Sequence, residues 1–149
     1  MKKLLLLIIP ILLFSCTSQE DIDNFVGDYE GSYNGYYRVT VGLSYEQEPF
    51  KGTETFSIIY EGDGNNVKLL IEDQEVAGKI RNKRASFDDY YIIEKNEETG
   101  QKSITSYYMQ GKLKNGEFHY GAIISGTAMI ENYALPIEGF LEGRARKIN

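Results

Sequence analysis

The sequence predicts an all-β fold, about eight antiparallel strands forming an up-and-down barrel or a rolled sheet, and three observations predict it. Apolar residues alternate with polar ones over long stretches, which is the period of a half-buried strand. Clusters of Gly, Asn, Asp and Lys interrupt those stretches at close intervals, so successive strands are joined by tight turns. Beyond residue 16 no window sustains an apolar period near 3.6 residues, which leaves little helix. Closure into a barrel is favoured because it removes exposed sheet edges.

The first strand runs from Asp28, with Tyr29, Gly31, Tyr33, Gly35, Tyr37, Val39, Val41 and Leu43 on one face and Glu30, Ser32, Asn34, Arg38, Thr40 and Ser44 on the other. Its glycines allow the sharp bending that a barrel strand needs. Phe56, Ile58 and Tyr60 share a face in the second run, residues 61–66 form a turn, and Val67, Leu69 and Ile71 line the third. A shorter run spans Val76 to Ile80 and turns at Arg81-Asn82-Lys83. Ala85 to Lys95 and Lys102 to Lys114 read as two further strands separated by residues 96–100. Asn115-Gly116 is the strongest two-residue hairpin signal in the chain. After it Phe118, Tyr120, Ala122, Ile124, Ala128 and Ile130 share one face, and Leu135, Ile137 and Leu141 line the last strand.

Ahead of the strands, Lys2 and Lys3 precede an apolar run from Leu4 to Phe14, then Ser15 and Cys16. That order is a secretory signal, too short at eleven apolar residues to span a bilayer as a helix. Leu13-Phe14-Ser15-Cys16 resembles the lipobox of bacterial lipoproteins. The resemblance implies a cleaved signal peptide over residues 1–15 and a covalent lipid on Cys16. Cys16 is the sole cysteine, so no internal disulfide forms, and thioether attachment to lipid accounts for a lone exported thiol. Several acyl chains, palmitate among them, exceed what stable membrane attachment requires. Thr at position 17, where such lipoproteins carry Asp for inner-membrane retention, implies the outer membrane. Gln19-Glu20-Asp21 is similar to the acidic export signal of surface-exposed lipoproteins, and any short polar linker is equally acidic.

Residues 16–24 then read as the lipidated cysteine and an acidic tether with too little apolar content to fold alone, and residues 25–149 as one β-barrel domain. Removing residues 1–15 takes Lys2 and Lys3 from the 16 basic residues and nothing from the 22 acidic ones, so the net charge moves from −6 to −8. That balance argues against nucleic acid as a partner. Phe25-Val26-Gly27-Asp28-Tyr29-Glu30-Gly31 is similar to the Gly-x-Tyr opening of lipocalin-like and calycin-like bacterial lipoproteins, which implies their barrel more than any activity.

Catalytic chemistry finds little purchase. His119 is the single histidine, lies opposite the apolar face, and reads as a solvent-facing strand residue. One histidine and one lipidated cysteine build neither a zinc site nor a nucleophile pair, and no Gly-x-Ser-x-Gly elbow is present. Asp88-Asp89 would diverge to opposite faces of a strand, and Asp63-Gly64-Asn65 lacks the spacing of a calcium loop. The chain is therefore expected to be no enzyme and to need no cofactor or metal beyond the lipid.

Three doubled tyrosines remain: Tyr36-Tyr37, Tyr90-Tyr91 and Tyr107-Tyr108. Strand geometry sends one ring of each pair inward and the other outward. Tyr36 is outward by the pattern of its strand, while the order within the other two pairs stays open. Two functions follow. In one, the barrel holds a small apolar or amphipathic ligand among its inward rings. In the other, Tyr29, Tyr33, Tyr37, Phe56, Tyr60, Phe118 and Tyr120 fill the interior, and exposed tyrosines bind a protein or glycan at the cell surface.

Overall fold

Two-residue loops set the connectivity. The computed structural model describes residues 18–95, 100–130 and 133–148. Helix α1, Gln19–Phe25, precedes nine strands: β1 Gly27–Val41, β2 Ser44–Tyr60, β3 Asn66–Ile71, β4 Gln74–Arg81, β5 Arg84–Phe87, β6 Tyr90–Lys95, β7 Lys102–Lys114, β8 Glu117–Ile130 and β9 Tyr133–Lys147. Gly42-Leu43, Glu72-Asp73, Asn82-Lys83 and Asn115-Gly116 each join two antiparallel strands directly. Asn115 and Gly116 both have positive φ, 54° and 80°, the mirror-image turn whose twist suits a hairpin. Asn82 and Lys83 adopt the same region at 51° and 59°.

All nine strands are antiparallel and belong to one sheet, in the order β5-β4-β3-β2-β1-β9-β8-β7-β6. β5 also pairs with β7, through Arg84–Ser86 against Gln110–Lys112. Near α1 the hydrogen bonds thus lead from strand to strand and back to the start. Further from α1 the pattern differs. β3 meets β2 only over Phe56–Tyr60, and β6 pairs with β7 alone. Residues 44–55 of β2 and the outer edge of β6 therefore lack a strand partner on one side, among the described residues. A side chain bridges the base of that gap: the Gln74 amide donates to the Tyr91 carbonyl at 2.6 Å and accepts from the Tyr91 N–H at 3.2 Å.

The core lies on the inner face. Tyr29, Phe56, Ile58, Val67, Leu69, Ile80, Phe87, Phe118 and Tyr120 are buried there, as the alternation requires. Glycines opposite rings are part of this packing. Tyr33 pairs with Gly52, Phe87 with Gly78 and Tyr120 with Gly143, and each ring lies where a Cβ on the glycine would collide with it.

Three expectations need correction. The acidic segment is a helix where an extended tether is expected: Ser18 caps it, accepting the Asp21 N–H at 3.1 Å, and Ile22 and Phe25, one turn apart, are buried in the core. The run Ala85 to Lys95 is two strands, because Asp88 and Asp89 leave the ladder exposed between β5 and β6, with the Asp88 N–H bonded to the Ala77 carbonyl. They are not divergent residues of one strand. Val41 and Leu43 do not share the buried fate of β1, since the β1–β2 hairpin projects beyond the core and leaves both in solvent. Residues 1–17, with Cys16, and residues 96–99 lie outside the described residues.

Candidate functional site

Glu54 continues the inward row of β2 beside Phe56 and Ile58. A carboxylate at such a position gives up water, and its surroundings do not replace it. Glu54 Oε1 is enclosed and has no hydrogen-bond partner among the described residues. The Tyr120 hydroxyl of β8 is the nearest polar influence, yet Tyr120 Oη is likewise enclosed and unpartnered, so the two face each other short of hydrogen-bond geometry. Burial pushes the Glu54 carboxyl above the ordinary carboxylate range; Tyr120 pulls it back, and the charge of Glu72, in the β3–β4 turn, pushes it up again. Burial, then Glu54, holds the Tyr120 phenol above its usual value, and the same two influences act on Tyr90. Burial also raises Tyr107.

Glu54 borders a cavity of about 800 Å³. Its inner wall includes Tyr33 and Leu141 from the β1–β9 side, Phe50 and Phe56 from β2, and Tyr90, Ile92 and Tyr107 from β6 and β7. The cavity wraps over the unpaired edge of β2 to Thr53, Thr55, Ser57 and Leu70, which the alternation places on the outer face. Its existence follows from the strand lengths: β3 stops at Ile71 opposite Phe56, so nothing walls the interior beside Phe50 to Glu54 except rings reaching across from other strands.

The doubled tyrosines divide as strand geometry demands. Tyr37, Tyr90 and Tyr107 turn inward, and Tyr36, Tyr91 and Tyr108 are exposed. Tyr90 and Tyr107 sit opposite each other in register and stack with centroids 5.1 Å apart, forming one side of the cavity. Tyr37 stacks with Phe50 at 6.1 Å and donates its hydroxyl to Glu48 at 2.5 Å. Two outer tyrosines join a second feature. Tyr108, Ile123, Phe140 and Tyr36 are directly opposed in register across β7, β8, β9 and β1 and all are exposed, Ile123 by 59%. They form an apolar stripe across the outer face. Tyr91 lies apart from it.

His119 faces outward, half-buried, with Nε2 3.5 Å from Glu117, whose other oxygen binds Arg146 at 2.7 Å. Among the described residues no three His, Cys, Asp or Glu side chains gather in a way that holds a metal ion.

Glu54 is the residue that pattern reading passes over. Its signal was parity: it stands two residues before Phe56 and four before Ile58, on the face where only apolar side chains are expected. Compared with protein-family models and with curated proteins, the chain matches none.

Proposed function

We propose that this chain is a lipoprotein, cut before Cys16, lipidated there and held at the outer membrane, whose strands close into a lipocalin-like or calycin-like barrel that binds a small apolar or amphipathic ligand without catalysis. The cavity beside Glu54 carries this proposal. Rings of Tyr33, Phe50, Tyr90 and Tyr107 give it apolar walls, and a few polar groups converge in it, the usual composition of a small-molecule site. The lengths of β3 and β6 leave space where a filled barrel would have side chains. Nile red, a neutral dye that brightens in apolar surroundings, is expected to bind the unlipidated protein and to be displaced by single-chain amphiphiles, and native mass spectrometry should detect one bound molecule. A dark dye and an empty mass spectrum together would rule the binding role out. Lipidation is checked separately: an alkyne-palmitate label should enter the unaltered chain and not Cys16→Ser.

A second reading is favoured by the stripe of Tyr36, Phe140, Ile123 and Tyr108, which gives the outer face an apolar band suited to a protein or glycan partner at the cell surface. Replacing Ile123 and Phe140 by Ser should then abolish crosslinking to surface partners in whole cells while leaving dye binding unchanged.

A further inference from the structure

We infer that the ligand presents an organic cation, a protonated amine on an apolar body, to the Glu54 carboxylate, with the rings of Tyr33, Tyr90 and Tyr107 around it. The inference rests on the cavity being a ligand site and names the chemistry of its buried end. Three observations lead to it.

The first is the unpartnered carboxylate oxygen. Glu54 Oε1 is shut off from solvent and makes no hydrogen bond among the described residues, and Tyr120 Oη beside it makes none either. An enclosed carboxylate without donors is costly to fold around, so a donor arriving with the ligand restores what burial removed. The second is the sign of the field. Among the described residues Asp28, Glu54 and Glu72 are the charged ones lining the cavity, and no Lys, Arg or His lines it. The groups coupled to Glu54 are neutral phenols or another acid: Tyr90 of β6, Tyr120 of β8 and Glu72 of the β3–β4 turn. Nothing in that set neutralises the charge, and a cation is the guest that does. The third is the wall. Stacked Tyr90 and Tyr107 and the nearby Tyr33 offer aromatic surface, which attracts a desolvated ammonium through the ring quadrupole. A bare metal ion is a poor match, since the space of about 800 Å³ suits an organic molecule and metal-holding clusters are absent among the described residues.

The alternative within the same site is a protonated Glu54 donating to a carbonyl or carboxylate, and a matched series of probes separates the two. Decylamine, decanol and decanoate share one apolar body and differ in the head. Residues 17–149 hold every described element and core residue, and this lipid-free chain is suitable for the measurement. At pH 7.5 the amine should displace Nile red at a concentration about tenfold lower than the alcohol, as a charge-assisted bond in a desolvated site implies, and decanoate should be weakest. Glu54→Gln should bring amine and alcohol within about threefold of each other, both read as displacement of the dye titrated on that same variant. In the unaltered protein the amine's advantage should shrink as falling pH protonates Glu54. Equal displacement by amine and alcohol, or an advantage that survives Glu54→Gln, overturns the cation and leaves the cavity standing. Strongest displacement by decanoate overturns it in favour of a protonated Glu54. Absence of dye binding and of any displacement overturns the cavity as a ligand site. A thermal melt checks that Glu54→Gln folds, and if it does not, the pH series on the unaltered protein decides.

Discussion

The helix half of the sheet and the far half are built from the same alternating strands, yet their inward polar groups meet different fates. Beside α1, Tyr29 is wholly buried, stacks on Phe56 at 5.2 Å, and its hydroxyl donates to the Phe25 carbonyl at 2.7 Å. Phe118 touches Phe25, Tyr29, Phe56 and Tyr120, with centroids between 5.7 and 5.9 Å. Rings there fill space, and the Tyr29 phenol is satisfied. Away from α1, Glu54 Oε1 and Tyr120 Oη are enclosed without partners, and the rings line a cavity instead of closing it. Satisfied polar groups in one half and unsatisfied ones in the other separate the part that holds the fold from the part where the ligand is proposed to sit.

The largest expected effect tests that division directly. Phe118→Ala removes a ring packed on four others and should cost about 3–5 kcal/mol of unfolding free energy, the range for a buried aromatic. Phe50→Ala in the far half removes a partly buried ring beside existing space and should cost under about 2 kcal/mol, since it creates little new cavity. Urea denaturation of both variants gives the comparison, and equal losses would mean that the far half is packed as tightly as the helix half.

A finer probe uses two glycines. A Cβ at Gly143 would collide with Tyr120 Cζ, and Tyr120 is wedged against Phe118 and Phe56, so Gly143→Ala should cost about 1–3 kcal/mol as an overpacking change. A Cβ at Gly52 would meet Tyr33 Oη at 2.5 Å, but that ring borders the cavity and has room to swing into it. Gly52→Ala should therefore cost less than Gly143→Ala and weaken Nile red binding, because the displaced ring takes ligand space. Melting curves and dye titrations on the pair decide it, and a Gly52→Ala protein that binds dye normally would show that Tyr33 moves elsewhere.

Much of this architecture was legible in the alternation. Tyr29, Tyr33, Tyr37, Phe118 and Tyr120 face inward and Tyr36 outward because strand parity admits no other choice, and Asn115-Gly116 turns because both residues tolerate positive φ. The first part of β2, Ser44 to Lys51, was not legible. Its residues are mostly polar, and their strand identity comes from pairing with β1 beyond the core. Helix α1 escaped notice because Ile22 and Phe25 are its only large apolar side chains, too few for a periodic signal, although Ser18 and Asp21 have capping spacing. The stripe of Tyr36, Phe140, Ile123 and Tyr108 draws one residue from each of four strands, so no continuous stretch of sequence contains it. Glu54 kept the parity of its neighbours while departing from them in chemistry, and a pattern of residue types reads that as an interruption.

The smallest effect concerns Glu54 in the ligand-free protein, and its sign is the sharpest test of the contrast between the halves. Burial, reinforced by Glu72, makes the folded protein hold the Glu54 proton to higher pH than the unfolded chain does. Stability from this group is then fully present below the unfolded value, near pH 4, and is lost as pH rises through the folded value. Glu54→Gln carries no charge in either state and escapes that loss. Melting temperatures of the two proteins should therefore nearly coincide around pH 4, and the Gln variant should draw ahead as the pH approaches neutrality. On the proposed binding role, a residue that weakens the empty fold is expected, because function and stability compete there. A wild-type protein that is the more stable of the two at neutral pH would mean that Glu54 has a favourable partner in the empty fold, and the far half would then be as self-satisfied as the half beside α1.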